Sequence, residues 1–273
     1  MKIVRAQNGV IFIKSKLIPC THGFATRVGG VSRAKHTASL NLAFGRGNDE
    51  ATVLRNLKLF GEAAGFDPCR VISLRQVHSP NILAVSAADR GLGYYTPSDL
   101  CCDGYVTADP QVTLGIKTAD CVPILLCALD NSGRPAVAAA LHAGWRGTLT
   151  GIAANGVNAM VSLGARPGQI FAAIGPAIGQ CCFEIDTGLR DEFFTALGAE
   201  ICSRCFRPSE TNPGKWYADL KGLNAHLLIS CGIPPGNIDI SNSCTCCNPA
   251  LFYSHRRDRE MRGTMLSVIN LTA

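Results

Sequence analysis

Hydrophobic and polar positions follow two periods along this chain, and the change of period marks its elements. Two apolar runs, Ile124-Leu-Leu-Cys-Ala-Leu129 and Ala136-Val-Ala-Ala-Ala-Leu141, are too short for helices and are bounded by turn residues. They predict buried strands near 121–128 and 135–141, joined over Asp130-Asn-Ser-Gly133. Further strands are expected at 9–14, after His22, at 70–77, 81–87, 103–107, 112–116, 170–174, 237–241 and 265–271. Between them, Gly29-Gly30 reads most simply as a hairpin turn. The stretch rich in Gly, Tyr and Pro up to Ser98 is long enough for a lid or substrate wall.

A helical period replaces the alternation in four places. Val53, Leu54, Leu57, Phe60 and Ala64 share a face, with Asn48 or Asp49 as N-cap and Gly65 as stop. A second helix is expected from Thr148 to Leu163. Asp186 caps a third carrying Leu189, Phe193, Phe194 and Leu197, and Asp219 a fourth carrying Leu220, Leu223, Leu227, Leu228 and Cys231. Strands that arrive without intervening helices predict a mixed or antiparallel sheet and not a βαβ repeat. With no repeat and no Ser- or Pro-rich linker, residues 1–273 read as a single α+β domain.

Composition narrows the classes. Hydrophobic content of 47% excludes wholesale disorder, and no apolar run approaches the roughly 20 residues of a membrane span. The N-terminus lacks an apolar segment followed by a cleavage site, so a soluble cytoplasmic protein is expected. A net charge of +6, with no dense basic run except around Arg256–Arg262 and only 7% aromatic residues, gives no nucleic-acid platform. It is compatible with a small anionic substrate such as phosphate. Fourteen cysteines in a chain of this size, several of them in apolar runs, read as free thiols and not as a disulfide framework.

The polar stretch Thr118-Ala-Asp-Cys-Val-Pro123 opens onto the first apolar run. The second run ends in His142-Ala-Gly-Trp-Arg-Gly147, and the strand from Val71 leads into Arg75-Gln-Val-His78. His78, Cys121 and His142 thus stand at strand ends, 43 and 21 residues apart in sequence. Two imidazoles and a thiolate suit a catalytic zinc with an open position, and Asp120 beside them could orient a ligand or act as a base. Cys121 with His142 as its base, without metal, fits the same residues. Copper chemistry of the multicopper kind is disfavoured, because the six histidines include no His-x-His pair. The H-x-E/P-C-x-x-C and H-E-x-x-H signatures are missing too. A rival four-cysteine site, Cys202/Cys205 with Cys244/Cys247, has 38 residues between its pairs, longer than usual for zinc, and free thiols are the simpler reading.

His22-Gly-Phe-Ala-Thr-Arg-Val-Gly-Gly-Val-Ser32, Leu40-Asn-Leu42, Arg75-Gln-Val-His78 and Thr118-Ala-Asp-Cys-Val-Pro123 together resemble the laccase-domain family, whose members are also called polyphenol oxidase or peptidoglycan-editing factor. His142-Ala-Gly-Trp-Arg-Gly147, Ile174-Gly-Pro-Ala-Ile-Gly179 and Phe252-Tyr-Ser-His-Arg-Arg-Asp258 extend the resemblance from about residue 20 to near the C-terminus. It implies two mixed sheets flanked by helices in α/β/β/α layers, similar to the catalytic fold of cytotoxic necrotizing factor. It also implies zinc on His78, Cys121 and His142. The activity implied is phosphorolysis of adenosine, inosine, guanosine and methylthioadenosine, with adenosine deamination beside it. Purine nucleoside and phosphate are then the partners, with Arg27, Arg46, Arg75 and Arg146 as phosphate candidates and Asn41 and Gln76 for purine or ribose edges. Other readings are a hydrolase removing misplaced L-serine from peptidoglycan precursors and, less favoured, a copper phenol oxidase. Two departures stand out. Gly47-Asn-Asp49 replaces a common Gly-Asp-Asp, and Arg262-Gly-Thr-Met265 replaces Thr-Gly-Arg-Met.

Overall fold

The two apolar runs lie in the middle of a sheet covered on both sides, which is why they are apolar at successive positions and not only at alternate ones. In the computed structural model, which describes residues 1–272, the chain begins with β1 (Lys2–Arg5), β2 (Ile11–Lys14), β3 (Thr21–Ala25) and α1 (Glu50–Ala64). β4 (Val71–Ile72), β5 (Ile82–Ala84), β6 (Gly104–Thr107) and β7 (Thr113–Thr118) follow, then the hairpin of β8 (Val122–Leu129) and β9 (Pro135–Ala143). Next come α2 (Trp145–Leu149), α3 (Ile152–Ser162), β10 (Ile170–Ile174), β11 (Glu184–Asp186), α4 (Thr187–Leu197) and α5 (Ala199–Cys202). The chain closes with β12 (Phe206–Pro208), β13 (Lys215–Ala218), α6 (Leu220–Ser230), β14 (Ile238–Ile240), α7 (His255–Asp258) and β15 (Met265–Asn270).

One six-stranded sheet runs β1-β2-β3-β15-β7-β4 and the other β14-β10-β8-β9-β6-β5. Both are mixed: β4 is parallel to β7, β5 to β6 and β10 to β14, and the remaining neighbours are antiparallel. A small antiparallel sheet, β11-β13-β12, stands apart. Strand alternation assigns the layers. Leu125 and Cys127 of β8 and Ala138 and Ala140 of β9 join Phe24, Leu114 and Ile269 of the other sheet in a shared core. Their neighbours Ile124, Leu126, Ala139 and Leu141 pack instead with α3 and α6. On the far face of the first sheet, Leu266 and Val268 meet Val53, Leu57 and Phe60 of α1. The fold is therefore α+β, with mixed sheets face to face and helices outside, as expected. Each fully buried leucine or isoleucine contributes about 1.5–3 kcal/mol to this arrangement.

Several expectations change in detail. β1 was not foreseen. The strand expected at 70–77 stops after Ile72, because the backbone beyond it turns to serve a buried carboxylate described below. The helix expected from Thr148 to Leu163 starts at Trp145 and breaks at Gly151 (φ 86°), giving α2 and α3. β6 and β7, consecutive in the chain, lie in different sheets. The stretch before Ser98 is packed down as far as Tyr94, which is buried and whose hydroxyl donates to the Leu42 carbonyl, while a Cβ on Gly93 would stand 2.2 Å from the Ser73 carbonyl oxygen; Tyr95, Thr96 and Pro97 are exposed. At the first glycine pair, a Cβ on Gly30 would meet the Ser39 carbonyl oxygen at 2.3 Å, so this turn admits another strand of the chain and not a ligand.

Candidate active site

Packing the two sheets face to face brings three distant strand ends together. Cys121 sits in the turn between β7 and β8, His142 is the penultimate residue of β9 opposite Pro123, and His78 lies on the irregular segment after β4. Their ligating atoms all lie within 4.8 Å of one another, and the two imidazole rings meet edge to face with centroids 4.8 Å apart. Both His78 (φ 62°) and Asp120 (φ 102°) hold backbone conformations rare for residues with a side chain, a concentration of strain at one place.

Asp103 explains the geometry. Its carboxylate is fully buried at the start of β6, and Oδ2 accepts the backbone N–H groups of Val77 and Ser79 and the Ser79 hydroxyl. Oδ1 accepts the His78 N–H at 2.9 Å and His142 Nδ1–H at 2.8 Å. The same carboxylate therefore curls the 77–79 backbone that carries one histidine and holds Nδ1–H of the other, so that Nε2 is the nitrogen that can donate a lone pair once a metal displaces its proton. Burial alone would raise the Asp103 carboxyl, but bonding to His142 and Ser79 outweighs it and holds it at about 2. Burial also acts against a Cys121 thiolate, yet the charge and hydrogen bonds of His142, then of His78, bring the thiol down to about 6. His142 is pushed up to about 9 by Cys121 and Asp103 against its own burial.

These residues suit a metal. A histidine backed by a carboxylate, a thiol already inclined to ionise and a second imidazole are the donor set of a tetrahedral site with one open position. Space is kept for it. A Cβ on Gly144 would stand 2.8 Å from His78 Nδ1 and 3.1 Å from Cys121 Sγ, so the glycine of the His-Ala-Gly motif clears the region the donors face.

A cavity of about 530 Å3 opens onto the three residues. Its cationic wall is Arg46, Arg75, Lys117 and Arg262, with His255 beside them, and Glu260 is its carboxylate. Phe44 adds an aromatic face. Burial brings Lys117 down to about 8, and burial followed by the Arg46 charge acts against the Arg262 cation. Arg46 pairs with Glu260 at 2.9 Å.

The sequence-derived binding residues divide. Arg46, Arg75 and Gln76 line the cavity. Gln76 uses its amide on the Lys117 backbone, donating to the carbonyl and accepting from the N–H at 2.8 Å each, and so fixes the register of the cation beside it. Asn41 does not line the cavity. It is fully buried and satisfied by the Ala43 carbonyl, Asn48 and the Thr264 N–H. Arg146 stacks on Trp145, 4.2 Å from the ring centroid, and Arg27 donates to the Ala38 and Pro249 carbonyls; neither lines the cavity. Asp120 is not free to act as a base: Thr245, Ser254 and the Arg256 N–H donate to it at 2.6, 2.9 and 2.6 Å. Of the two departures from the family pattern, Asn48 bonds Asn41 and leaves the helix cap to Asp49, while Arg262 lies in the cavity wall.

Sequence reasoning missed Asp103 and Lys117. The signal for Asp103 was a charged residue flanked by Cys102 and Gly104 at the mouth of an apolar strand. For Lys117 it was a lone cation inside a strand buried on both sides. The rival grouping of Cys202/Cys205 with Cys244/Cys247, already the less favoured reading, does not form, because Cys202 and Cys205 are buried in the helical core.

Three comparisons bear on this arrangement. The family model described as Multi-copper polyphenol oxidoreductase laccase matches residues 21–272. A relative named purine nucleoside phosphorylase YlmD, from Geobacillus stearothermophilus, is 38% identical over 90% of this chain and 88% of its own. A Deinococcus radiodurans protein named purine nucleoside phosphorylase is 36% identical over 96% and 94%. The crystal structure of YlmD from Geobacillus stearothermophilus superposes with a TM-score of 0.88 at 34% identity, covering 99% of each chain.

Proposed function

The chain belongs to the multi-copper polyphenol oxidoreductase laccase family, and we propose that within it this protein is a zinc-dependent purine nucleoside phosphorylase with adenosine deaminase activity. The observation that carries the reading is one cavity whose wall joins the His78–Cys121–His142 triad to four cationic side chains. The names of the relatives from Geobacillus stearothermophilus and Deinococcus radiodurans support it. The substrates proposed are adenosine, inosine, guanosine and methylthioadenosine, each with phosphate. We also propose a cytoplasmic setting. All fourteen cysteines are unpaired, and among the described residues no helix is long and apolar enough to cross a membrane.

Arg75, Lys117 and Arg262 draw the phosphate dianion into the cavity, where partial burial strengthens their attraction for it. Phe44 offers its ring to the purine. A phosphate oxygen bonds to ribose C1′ as the bond from C1′ to the purine nitrogen breaks; the electron pair leaves with the base, which takes up the proton that the phosphate gives. The products are ribose 1-phosphate and free purine. Zinc at the triad, when bound, supplies a Lewis acid that can activate water for attack at purine C6, the deamination step. Asp103 holds His142 through Nδ1, which leaves Nε2 to hold the metal. Zinc is preferred over copper because the remaining histidines are scattered. His22 is buried and takes the Ser15 N–H, His36 lies by the Arg46 carbonyl, and among the described residues no histidine cluster exists beyond the triad.

The test is inosine incubated with the metal-loaded protein, with and without phosphate. Hypoxanthine and ribose 1-phosphate are expected only when phosphate is present. Adenosine without phosphate is expected to yield inosine and ammonia. No hypoxanthine from metal-replete protein would overturn the reading.

A further inference from the structure

A second group of metal-ligating side chains lies outside the cavity. Cys181 and Cys182, in the loop after β10, face Cys244 and Cys247, in the loop after β14, and all four sulfurs lie within 4.8 Å of one another. We propose that Cys181, Cys182, Cys244 and Cys247 form a mononuclear tetrathiolate site for a thiophilic divalent cation such as zinc, and that this site ties the two loops together behind the active site.

The spacing favours one cation. Thiolates at about 2.3 Å from a tetrahedral zinc stand about 3.8 Å from one another. Here Cys247 Sγ lies 3.4 Å from Cys181 Sγ and 3.2 Å from Cys182 Sγ, and no pair in the group exceeds 4.8 Å. A disulfide joins two sulfurs at about 2.05 Å and gives no reason for a third and fourth to gather round the same point. A polynuclear iron–sulfur cluster needs its own irons and sulfides between the thiolates, for which this group is too tight.

The surroundings supply what a tetrathiolate needs. Cys244 Sγ accepts the Gly179 N–H at 3.1 Å. A Cβ on Gly179 would come within 3.2 Å of Cys181 Sγ and 3.1 Å of the Cys244 Cβ, so the glycine allows the close approach. The Lys221 ammonium is buried beside the loop and donates to the Ser241 and Ser243 carbonyls, and Arg257 donates to the Thr245 and Cys246 carbonyls. The Lys221 cation thus stands against a site whose ligands sum to excess negative charge, while the Arg257 charge is paired with Asp258.

The loops so joined both hold Asp120. Ile178 N–H donates to its carbonyl at 2.8 Å, and the Thr245 hydroxyl, one residue after Cys244, donates to its carboxylate. Arg256, whose N–H also serves Asp120, donates to the Cys182 carbonyl. The second site is therefore structural, acting on the residue next to Cys121 through three short connections.

Cobalt(II) alone is the probe, added under reducing conditions to the full chain, because its sulfur charge-transfer absorption grows with the number of thiolates bound. The intact protein is expected to take up a cobalt with the strong near-ultraviolet absorption of four thiolates. Cys244→Ser/Cys247→Ser is expected to lose that absorption, and His142→Ala to retain it. If the double variant fails to fold, His142→Ala carries the test, since it must still bind one cobalt with the four-thiolate spectrum. Absence of that spectrum from both the intact chain and His142→Ala, or its survival in the double variant, overturns the proposal. Alkylation without reductant that finds two of these cysteines blocked as a disulfide overturns it too. None of these readings depends on nucleoside turnover, so the outcome is separate from that of the function proposed above.

Discussion

Asp103 and Asp120 are two buried carboxylates within 20 residues of each other, each gathering donors from distant parts of the chain, yet they differ in kind. Asp103 collects three backbone N–H groups, one hydroxyl and the His142 imidazole. Asp120 collects two hydroxyls and one backbone N–H. A backbone N–H can only donate, so whatever replaces the Asp103 carboxylate must still accept. A hydroxyl can rotate and accept instead. Adjacent to the same triad, one carboxylate is thus fixed by chemistry that cannot be reversed, while the other is a structural tie that tolerates exchange.

The largest effect expected lies between them. Cys121→Ser removes the soft donor, so metal affinity at the triad and adenosine deamination should both fall by more than about 100-fold, leaving only the metal of the four-cysteine site; that exceeds the range for residues that only orient a ligand. Metal analysis and initial rates measure this; wild-type metal content would mean that the triad is not the binding site. Asp103→Asn should come next. Its amide would face N–H donors that cannot turn away, costing about 3 kcal/mol in denaturant unfolding and about 10–100-fold in metal affinity. The wild-type carboxyl is depressed to about 2, below its ordinary value, so the unfolded chain takes the proton first. Its stabilisation, ~2 kcal/mol, is complete above about pH 4 and is lost as pH falls through 2. Unfolding curves of Asp103→Asn should lack that acid-dependent component. Asp120→Asn should have the smallest effect, about 1 kcal/mol with metal content unchanged, because the Thr245 hydroxyl can turn and accept and asparagine tolerates a positive φ. Equal losses of metal from Asp103→Asn and Asp120→Asn would erase the distinction between the two carboxylates.

Much of this was legible beforehand, for identifiable reasons. Apolar runs such as Ile124–Leu129 report double burial directly, and caps such as Asp49 and Gly65 act on groups three or four residues away, so the helices and central strands stood in the sequence. His78, Cys121 and His142 were legible as polar groups at the ends of apolar runs. Their neighbours were not. Lys117 on β7 and Arg262, three residues before β15, reach one cavity because those two strands are neighbours, with Met265 opposite Thr118. Asn41 and Arg146 looked like binding residues by motif, but packing turned one into a buried tie and the other onto Trp145.

The sequence alone determined periodicity, caps, the residue types able to hold a metal, and the family to which they point, because each rests on residue identity or on contacts a few positions apart. Tertiary structure decided which of fourteen cysteines meet, drawing Cys244 and Cys247 to Cys181 and Cys182 and leaving Cys202 and Cys205 in the helical core. It also decided that Asp103 and not Asp120 stands behind the triad. The physical reason is common to both: β10 lies antiparallel to β8 and parallel to β14, and β6 lies antiparallel to β9. Those pairings set which loops become neighbours, and no local pattern encodes them.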